Sequence, residues 1–178
     1  RVTVPSLSPE GKTWTISLDG TKTKITRKNA DGDEEVVQTM RVVVLAFAPN
    51  RGRAYYPGTY DAAKPGVPEC WSDDGIAPPA QVAAPKSATC ATCPLSIKGS
   101  KQTDNGKSVT ACSQHLMLAI VPANNLGFTA LRLKLAITSV WDKQSPDLEK
   151  KHWFAFDNYK EFLRSNKVLH TGAIITKM

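Results

Sequence analysis

The sequence predicts a β-rich fold with one or two packing helices and a long irregular insertion. Short runs that are β-branched or that alternate apolar with polar residues recur along the chain, at residues 14–18, 41–48, 116–121 and 130–137. Residues 61–94 are instead rich in proline, alanine and glycine and show neither helical nor strand periodicity. A helix-like pattern begins only near residue 145. These observations predict a fold class between all-β and α+β.

The length and charge of the chain limit its organisation and its partners. A chain of 178 residues suits one domain with a hydrophobic core, so we predict a single domain over residues 1–178, with residues 61–112 as an insertion. We expect an acidic tail or a closing strand outside this chain. The 23 Lys and Arg residues against 16 Asp and Glu residues give a net charge of +7, which favours an anionic partner such as nucleic acid.

No segment of the sequence is suited to a membrane. The apolar runs are shorter than a membrane span, and residues 1–10 contain no signal-peptide core. We therefore predict no membrane partner and a cytoplasmic location.

The first strands are predicted to form a hairpin. Trp14, Ile16 and Leu18 alternate with polar residues and lead into Asp19-Gly20, a strong signal for a two-residue hairpin turn. Residues 21–28 follow as the return strand. Further along, residues 42–47 read Val-Val-Val-Leu-Ala-Phe, which predicts a central strand buried on both faces.

The C-terminal third predicts a strand, a helix and a returning strand. In residues 130–137, leucines alternate with Arg132 and Lys134, so one face is apolar and the other partly basic. Arg132 and Lys134 are candidate nucleic-acid contacts, and a solvated face is the alternative. Ser145-Pro146 predicts a helix start, and the aromatic residues from Trp153 onwards predict that this helix packs into the core. Residues 168–177 are predicted to return as a strand.

Cationic and aromatic residues follow the predicted central strand, with Arg51, Arg53, Tyr55, Tyr56 and Tyr60 close together. Cations track phosphates, and aromatic rings stack on bases of any sequence, at roughly 1–3 kcal/mol per base. The alternative is that the tyrosines pack under the loop with hydrogen-bonded hydroxyls.

All four cysteines fall within one stretch, at positions 70, 90, 93 and 112. The Cys90-x-x-Cys93 pair supplies half of a tetrahedral thiolate site, and Cys70 and Cys112 complete it as a structural zinc site. A metal would also offset the entropy of ordering such a long loop. Two disulfides in an exported protein, or four unrelated buried thiols, are the alternatives.

His115 is a rival fourth ligand. Cys112 and His115 have CxxH spacing, so Cys90, Cys93, Cys112 and His115 would form a Cys₃His site. If a strand already begins near Cys112, residues 112 and 115 point to opposite faces, which favours Cys70.

These motifs resemble a known family. The runs Cys70-Trp71-Ser72-Asp73-Asp74-Gly75, Cys90-Ala91-Thr92-Cys93-Pro94 and Ala111-Cys112, preceded by Tyr55-Tyr56-Pro57-Gly58, are similar to the zinc-containing single-stranded-DNA-binding proteins of tailed bacteriophages. The resemblance covers about residues 41–121. It implies an OB-type barrel, a zinc loop built from the four cysteines, and sequence-tolerant binding of single strands during replication or recombination in the host cytoplasm. Replication proteins would be partners through a tail outside this chain.

We therefore predict a single-stranded-DNA-binding protein with one structural zinc ion and no catalytic activity. Four cysteine ligands would saturate the metal, whereas catalytic zinc keeps an open position. A zinc-loop adaptor or transcription regulator that binds protein or duplex DNA is the alternative. The predicted nucleic-acid contacts are Arg51, Arg53, Tyr55, Tyr56, Trp71, Lys98, Arg132 and Lys134.

Overall fold

The computed structural model describes residues 4–58, 66–141 and 146–178, and it is β-rich with few helices, as predicted. Its strands are β1 (Ser6–Glu10), β2 (Thr13–Leu18), β3 (Thr21–Lys24), β4 (Thr26–Lys28), β5 (Glu34–Val36), β6 (Arg41–Phe47), β7 (Gly52–Tyr55), β8 (Cys70–Ser72), β9 (Lys101–Gln102), β10 (Ser108–Val109), β11 (Cys112–Pro122), β12 (Leu131–Ala136) and β13 (Thr176–Lys177). The helices are α1 (Ile137–Val140), α2 (Pro146–Lys150) and α3 (Phe156–Ser165), with 3₁₀ turns at Pro94–Ser96 and Thr171–Ala173. None of the helices in the described ranges has the length and apolar character needed to cross a membrane.

The chain divides into two compact units. The first unit comprises Arg1–Phe47 and Met117–Met178, and the second comprises Ala48–Leu116. The bounds of the second unit enclose the predicted insertion, residues 61–112, of which residues 61–65 lie outside the described residues.

The first unit is built on a sheet with strand order β13-β6-β11-β12-β1-β2-β3, to which β11 contributes residues 118–122. Strand β1 pairs in parallel with β12 and antiparallel with β2. The core consists of aliphatic side chains that are almost completely removed from solvent, namely Leu7, Val42, Val44, Leu118, Ile120, Leu131 and Leu133. Burying each such side chain contributes about 1.5–3 kcal/mol, so this sheet has a substantial apolar core.

The predicted N-terminal hairpin is confirmed. Strands β2 and β3 pair antiparallel with Leu18 opposite Thr21. Asp19 and Gly20 join them with φ angles of 46° and 83°, the two positive values that a type I′ turn requires. The predicted return strand is interrupted after Lys24, and its second part, β4, pairs with β5 instead.

The predicted central strand is only half buried. Strand β6 does lie inside the sheet, between β13 and β11. Only its first half, residues 42–44, is buried, whereas Leu45 and Phe47 are exposed, so the prediction of burial on both faces is wrong for the second half. One reason is that β13 pairs only with Arg41 and Val42. Beyond them no further strand of the described residues extends the sheet along that edge, and the 3₁₀ turn at Thr171–Ala173 lies there instead, with the Thr171 hydroxyl donating to the Val44 carbonyl at 2.9 Å.

Two predictions for the C-terminal region need correction. The predicted packing helix is two short helices, and Trp153 lies between them with 66% of its surface exposed, so it is not a core residue. The helical pattern is interrupted at His152, whose φ is 54°, a value incompatible with a right-handed helix. The helix does begin at Pro146, while Ser145 lies outside the described residues. The predicted strand over residues 168–177 is reduced to Thr176–Lys177.

Candidate metal centre

The second unit places two of the cysteines on either side of one tyrosine. Strand β7 pairs with β8 on one edge and with residues 112–115 of β11 on the other. In this register Tyr55 lies opposite both Cys70 and Cys112. Because cross-strand partners project from the same face of a sheet, the two cysteines share a face with Tyr55.

The other two cysteines lie on irregular backbone that short hydrogen bonds hold in place. The Cys90 N–H donates to the Ile76 carbonyl at 2.8 Å. Cys93 immediately precedes the 3₁₀ turn that begins at Pro94, and its carbonyl accepts from the Ser96 N–H at 2.9 Å. Apart from β8, residues 66–93 contain no helix or strand, so the described part of residues 61–94 has the irregular backbone that the sequence predicts.

All four cysteines line one small cavity. They are buried free thiols, and the cavity between them has a volume of about 10 Å³, close to the space that one water molecule needs. Its other lining residues are Arg53, Tyr55, Trp71, Pro78, Lys86, Ser87, Thr89, Leu95 and Ser96. Within residues 4–58, 66–141 and 146–178, no three cysteine, histidine or carboxylate side chains are arranged as a formed metal-binding group. The thiols therefore share a cavity without being drawn together as ligands.

The residues around this cavity fit a zinc ion in two respects. The described residues that line the cavity offer four soft thiol donors and no carboxylate, a donor set that suits zinc. In addition, Nη1 of Arg53, which lines the cavity, is buried and has no hydrogen-bond partner among the described residues. A zinc ion with four thiolates carries two negative charges, which complement the positive charge of Arg53.

The protonation of the thiols depends on burial and on Arg53. Burial raises the pKa of Cys90 and of Cys112 above the ordinary thiol value, because the charged form loses hydration. The positive charge of Arg53 acts in the opposite direction on both thiols. Metal binding would have to displace the protons, since only the thiolate form is a ligand.

The structure separates His115 from the cysteine cavity. Residues 112 and 115 both belong to β11, and an odd spacing along a strand places them on opposite faces. His115 is buried and packs against Gly52, where an added Cβ atom would lie 2.4 Å from its Nε2. This geometry favours Cys70 as the fourth ligand, which stays a prediction.

Comparisons with models of protein families, with curated proteins and with solved structures find no match to this chain. Any function proposed for this chain therefore rests on its residues and on their geometry.

The predicted nucleic-acid contacts of the second unit fall into two groups. Arg51, Tyr56 and Lys98 are exposed, and Tyr56 has 39% of its surface accessible. In contrast, Arg53, Tyr55 and Trp71 are only partly exposed and line the cysteine cavity. Tyr60 lies outside the described residues.

The two predicted contacts of the first unit are exposed on β12. Arg132 and Lys134 alternate with Leu131 and Leu133, which are fully buried, so the predicted division into a basic and an apolar face is confirmed. Their role in binding stays a prediction.

Sequence reasoning missed the polar residues that surround the cysteines. Lys86 lines the cavity, forms an ion pair with Glu69, and lies 5.8 Å from the centre of the Tyr55 ring. No local signal links residues so far apart in sequence. Asp74 accepts hydrogen bonds from the Ser72 hydroxyl at 2.7 Å and the Ile76 N–H at 2.9 Å, an Asx-type turn that the Asp-Gly pair could have indicated.

Proposed function

We propose that this chain is a single-stranded-DNA-binding protein whose second unit is organised by one structural zinc ion. The observation that carries the proposal is that all four cysteines, which are up to 42 positions apart, line one small cavity in a basic chain. The resemblance to zinc-containing phage proteins rests on these same cysteines. An OB-type barrel as the scaffold is part of the proposal.

The proposed zinc ion plays a structural role and not a catalytic one. Cys70, Cys90, Cys93 and Cys112 would hold it, and four protein ligands leave no open position for a substrate or a reactive water. Bound zinc would link strands β8 and β11 to the irregular segment around Cys90, which offsets the entropy of ordering that segment. This arrangement supports a binding protein and not an enzyme.

The proposed DNA contacts are the exposed cations and the exposed tyrosine of the second unit. Arg51 precedes β7 and Tyr56 follows it, so the two residues lie at opposite ends of one short strand. Arg51 and Lys98 supply positive charge for phosphates, and the ring of Tyr56 offers a face for a base. Arg132 and Lys134 add exposed cations on the first unit.

Binding should be specific for single strands and sensitive to salt. We expect the protein to prefer a labelled single-stranded oligonucleotide to the matching duplex in fluorescence anisotropy titrations. If about four phosphates are neutralised, log K should fall against log salt with a slope of about −3. A slope of zero, or a preference for duplex, would contradict the proposal.

Stacking on Tyr56 gives a more local prediction. Replacing Tyr56 by alanine should weaken single-strand binding by roughly 1–3 kcal/mol, because the base loses its aromatic partner. Tyr56→Phe is the matched control, since it keeps the ring and removes only the hydroxyl. Both affinities are measured by the same anisotropy titration. Equal affinity of wild type and Tyr56→Ala would exclude Tyr56 as a stacking residue.

The adaptor alternative has one observation in its favour. The first unit exposes large apolar side chains in and after α3, including Phe162 and Leu169, and Leu169 is 82% exposed. Such side chains suit protein contacts. Stable binding of a protein partner together with equal affinity for single and double strands would favour the adaptor over the DNA-coating function.

A further inference from the structure

Arg53 occupies an unusual position for a predicted DNA contact. It lies two residues before Tyr55 on β7, so it shares a face with Tyr55, Cys70 and Cys112. Its Nη1 atom is buried, and within the described part of the chain it has no hydrogen-bond partner. A guanidinium nitrogen buried without an acceptor is costly, so this position calls for a nearby anion.

A carboxylate does not provide this anion, because the described residues that line the cavity include no aspartate or glutamate. Ser72, the cross-strand partner of Arg53, is neutral, and its hydroxyl donates to Asp74 at 2.7 Å. The second cation of the cavity, Lys86, already forms an ion pair with Glu69. Among the described residues that line the cavity, the cysteines and Tyr55 are the side chains that have an anionic form. The sulfurs are the favoured acceptors for Arg53, because a thiol is in general a stronger acid than a phenol.

We propose that Arg53 is a positioning residue for the metal site, where its buried guanidinium offsets the negative charge of the cysteine thiolates and donates to their sulfur atoms. Four thiolates around a divalent ion carry two negative charges in a small buried space, and a fixed cation stabilises them there more than it would in water. Arg53 thus raises metal affinity without contacting the metal. The inference rests on the metal site of the proposed function and not on DNA binding.

The test measures metal affinity directly. Zinc affinity of wild type and Arg53→Met is determined by competition with a chromophoric chelator. Removing an outer-shell partner typically costs 10–100-fold in metal affinity, and we expect a loss of about this size. Lys101→Met is the matched control, because it removes one positive charge from an exposed position of the second unit and should leave zinc affinity within about twofold.

A spectroscopic readout separates charge compensation from a general loss of stability. With Co²⁺ in place of zinc, the thiolate-to-metal charge-transfer bands of Arg53→Met should shift relative to wild type, because the sulfur atoms lose a hydrogen-bond donor. Unchanged zinc affinity together with unchanged bands in Arg53→Met would overturn the inference. If Arg53→Met does not fold in excess zinc, Arg53→Lys decides, because it keeps the charge and should recover zinc affinity to within about tenfold. Failure of Arg53→Lys to recover affinity would also overturn it.

The outcome is independent of the DNA-binding proposal. If wild type binds no zinc, the metal site itself fails and Arg53 has no such role. If wild type binds zinc but no single-stranded DNA, the proposed function fails while the Arg53 comparison still stands. If both bind normally and Arg53→Met has wild-type zinc affinity and bands, only this inference fails.

Discussion

Removing zinc is expected to unfold the second unit while the sheet of the first unit persists. In the described residues of the second unit, the buried apolar side chains besides the cysteines are only Ala54, Val82 and Leu116. A core of this size cannot offset the entropy of ordering the unit, and units this small usually need a metal or disulfides. Structural zinc contributes apparent free energies of about 10–16 kcal/mol in small zinc peptides, comparable to the whole stability of many domains.

Hydrogen exchange with and without a chelator provides the measurement. Backbone amides in residues 66–116 should lose protection when zinc is removed, whereas amides in β6, β12 and the C-terminal half of β11 should keep theirs. Cys93→Ser should give the same pattern without chelator, because it removes one ligand from the site. Ser87→Ala is the control, since it changes a partly exposed hydroxyl at the cavity and leaves every thiol in place. Unchanged exchange in residues 66–116 after chelation would exclude a structural part for zinc.

The features that sequence predicts well depend on neighbours in the chain. The Asp19-Gly20 turn requires two adjacent residues that tolerate positive φ, and both adopt it. The alternation of Leu131, Arg132 and Leu133 requires only that a strand places successive side chains on opposite faces. The four cysteines, which residue type and spacing predict as one zinc site, do line one cavity, and the metal itself stays a prediction.

The features that sequence misses depend on partners far along the chain. The parallel pairing of β1 with β12 joins Leu7 to Leu133, and no local pattern encodes that register. Arg53 was predicted on the DNA-binding surface because its neighbours are cationic and aromatic. Only the pairing of β7 with β8 and β11 reveals that it shares a face with two cysteines. For Trp153, helical spacing gave no indication that the helix would be interrupted at His152.

Gly75→Ala should destabilise the second unit more than Gly106→Ala, although both glycines have a positive φ. Gly75 has a φ of 70°, and a Cβ atom added there would lie 2.2 Å from the carbonyl oxygen of Arg51. The substitution therefore carries both the left-handed backbone penalty of about 1–2 kcal/mol and a collision with backbone. The backbone has to move to relieve that contact, and the total cost should be roughly 3 kcal/mol.

Gly106→Ala isolates the collision from the backbone penalty. Gly106 also belongs to the second unit and has a φ of 73°, but an added Cβ atom would meet nothing within 4 Å. It should cost only the left-handed penalty of about 1–2 kcal/mol. Urea unfolding of the zinc-loaded variants, followed by hydrogen exchange within residues 66–116, gives the two free energies. Equal destabilisation by both variants would show that the backbone around Gly75 moves to accommodate the added Cβ atom at no additional cost in stability.

The Gly75 variant should also weaken metal binding. The residue after it, Ile76, provides the carbonyl that accepts from the Cys90 N–H, and Asp74 before it accepts from the Ser72 hydroxyl. A shift of this turn would thus move Cys90 relative to Cys70, which lies on β8 just before the same turn. We expect zinc affinity to fall in Gly75→Ala and to stay within about twofold of wild type in Gly106→Ala, as measured by chelator competition. Loss of stability without loss of zinc affinity would mean that the turn supports the unit but does not position the cysteines.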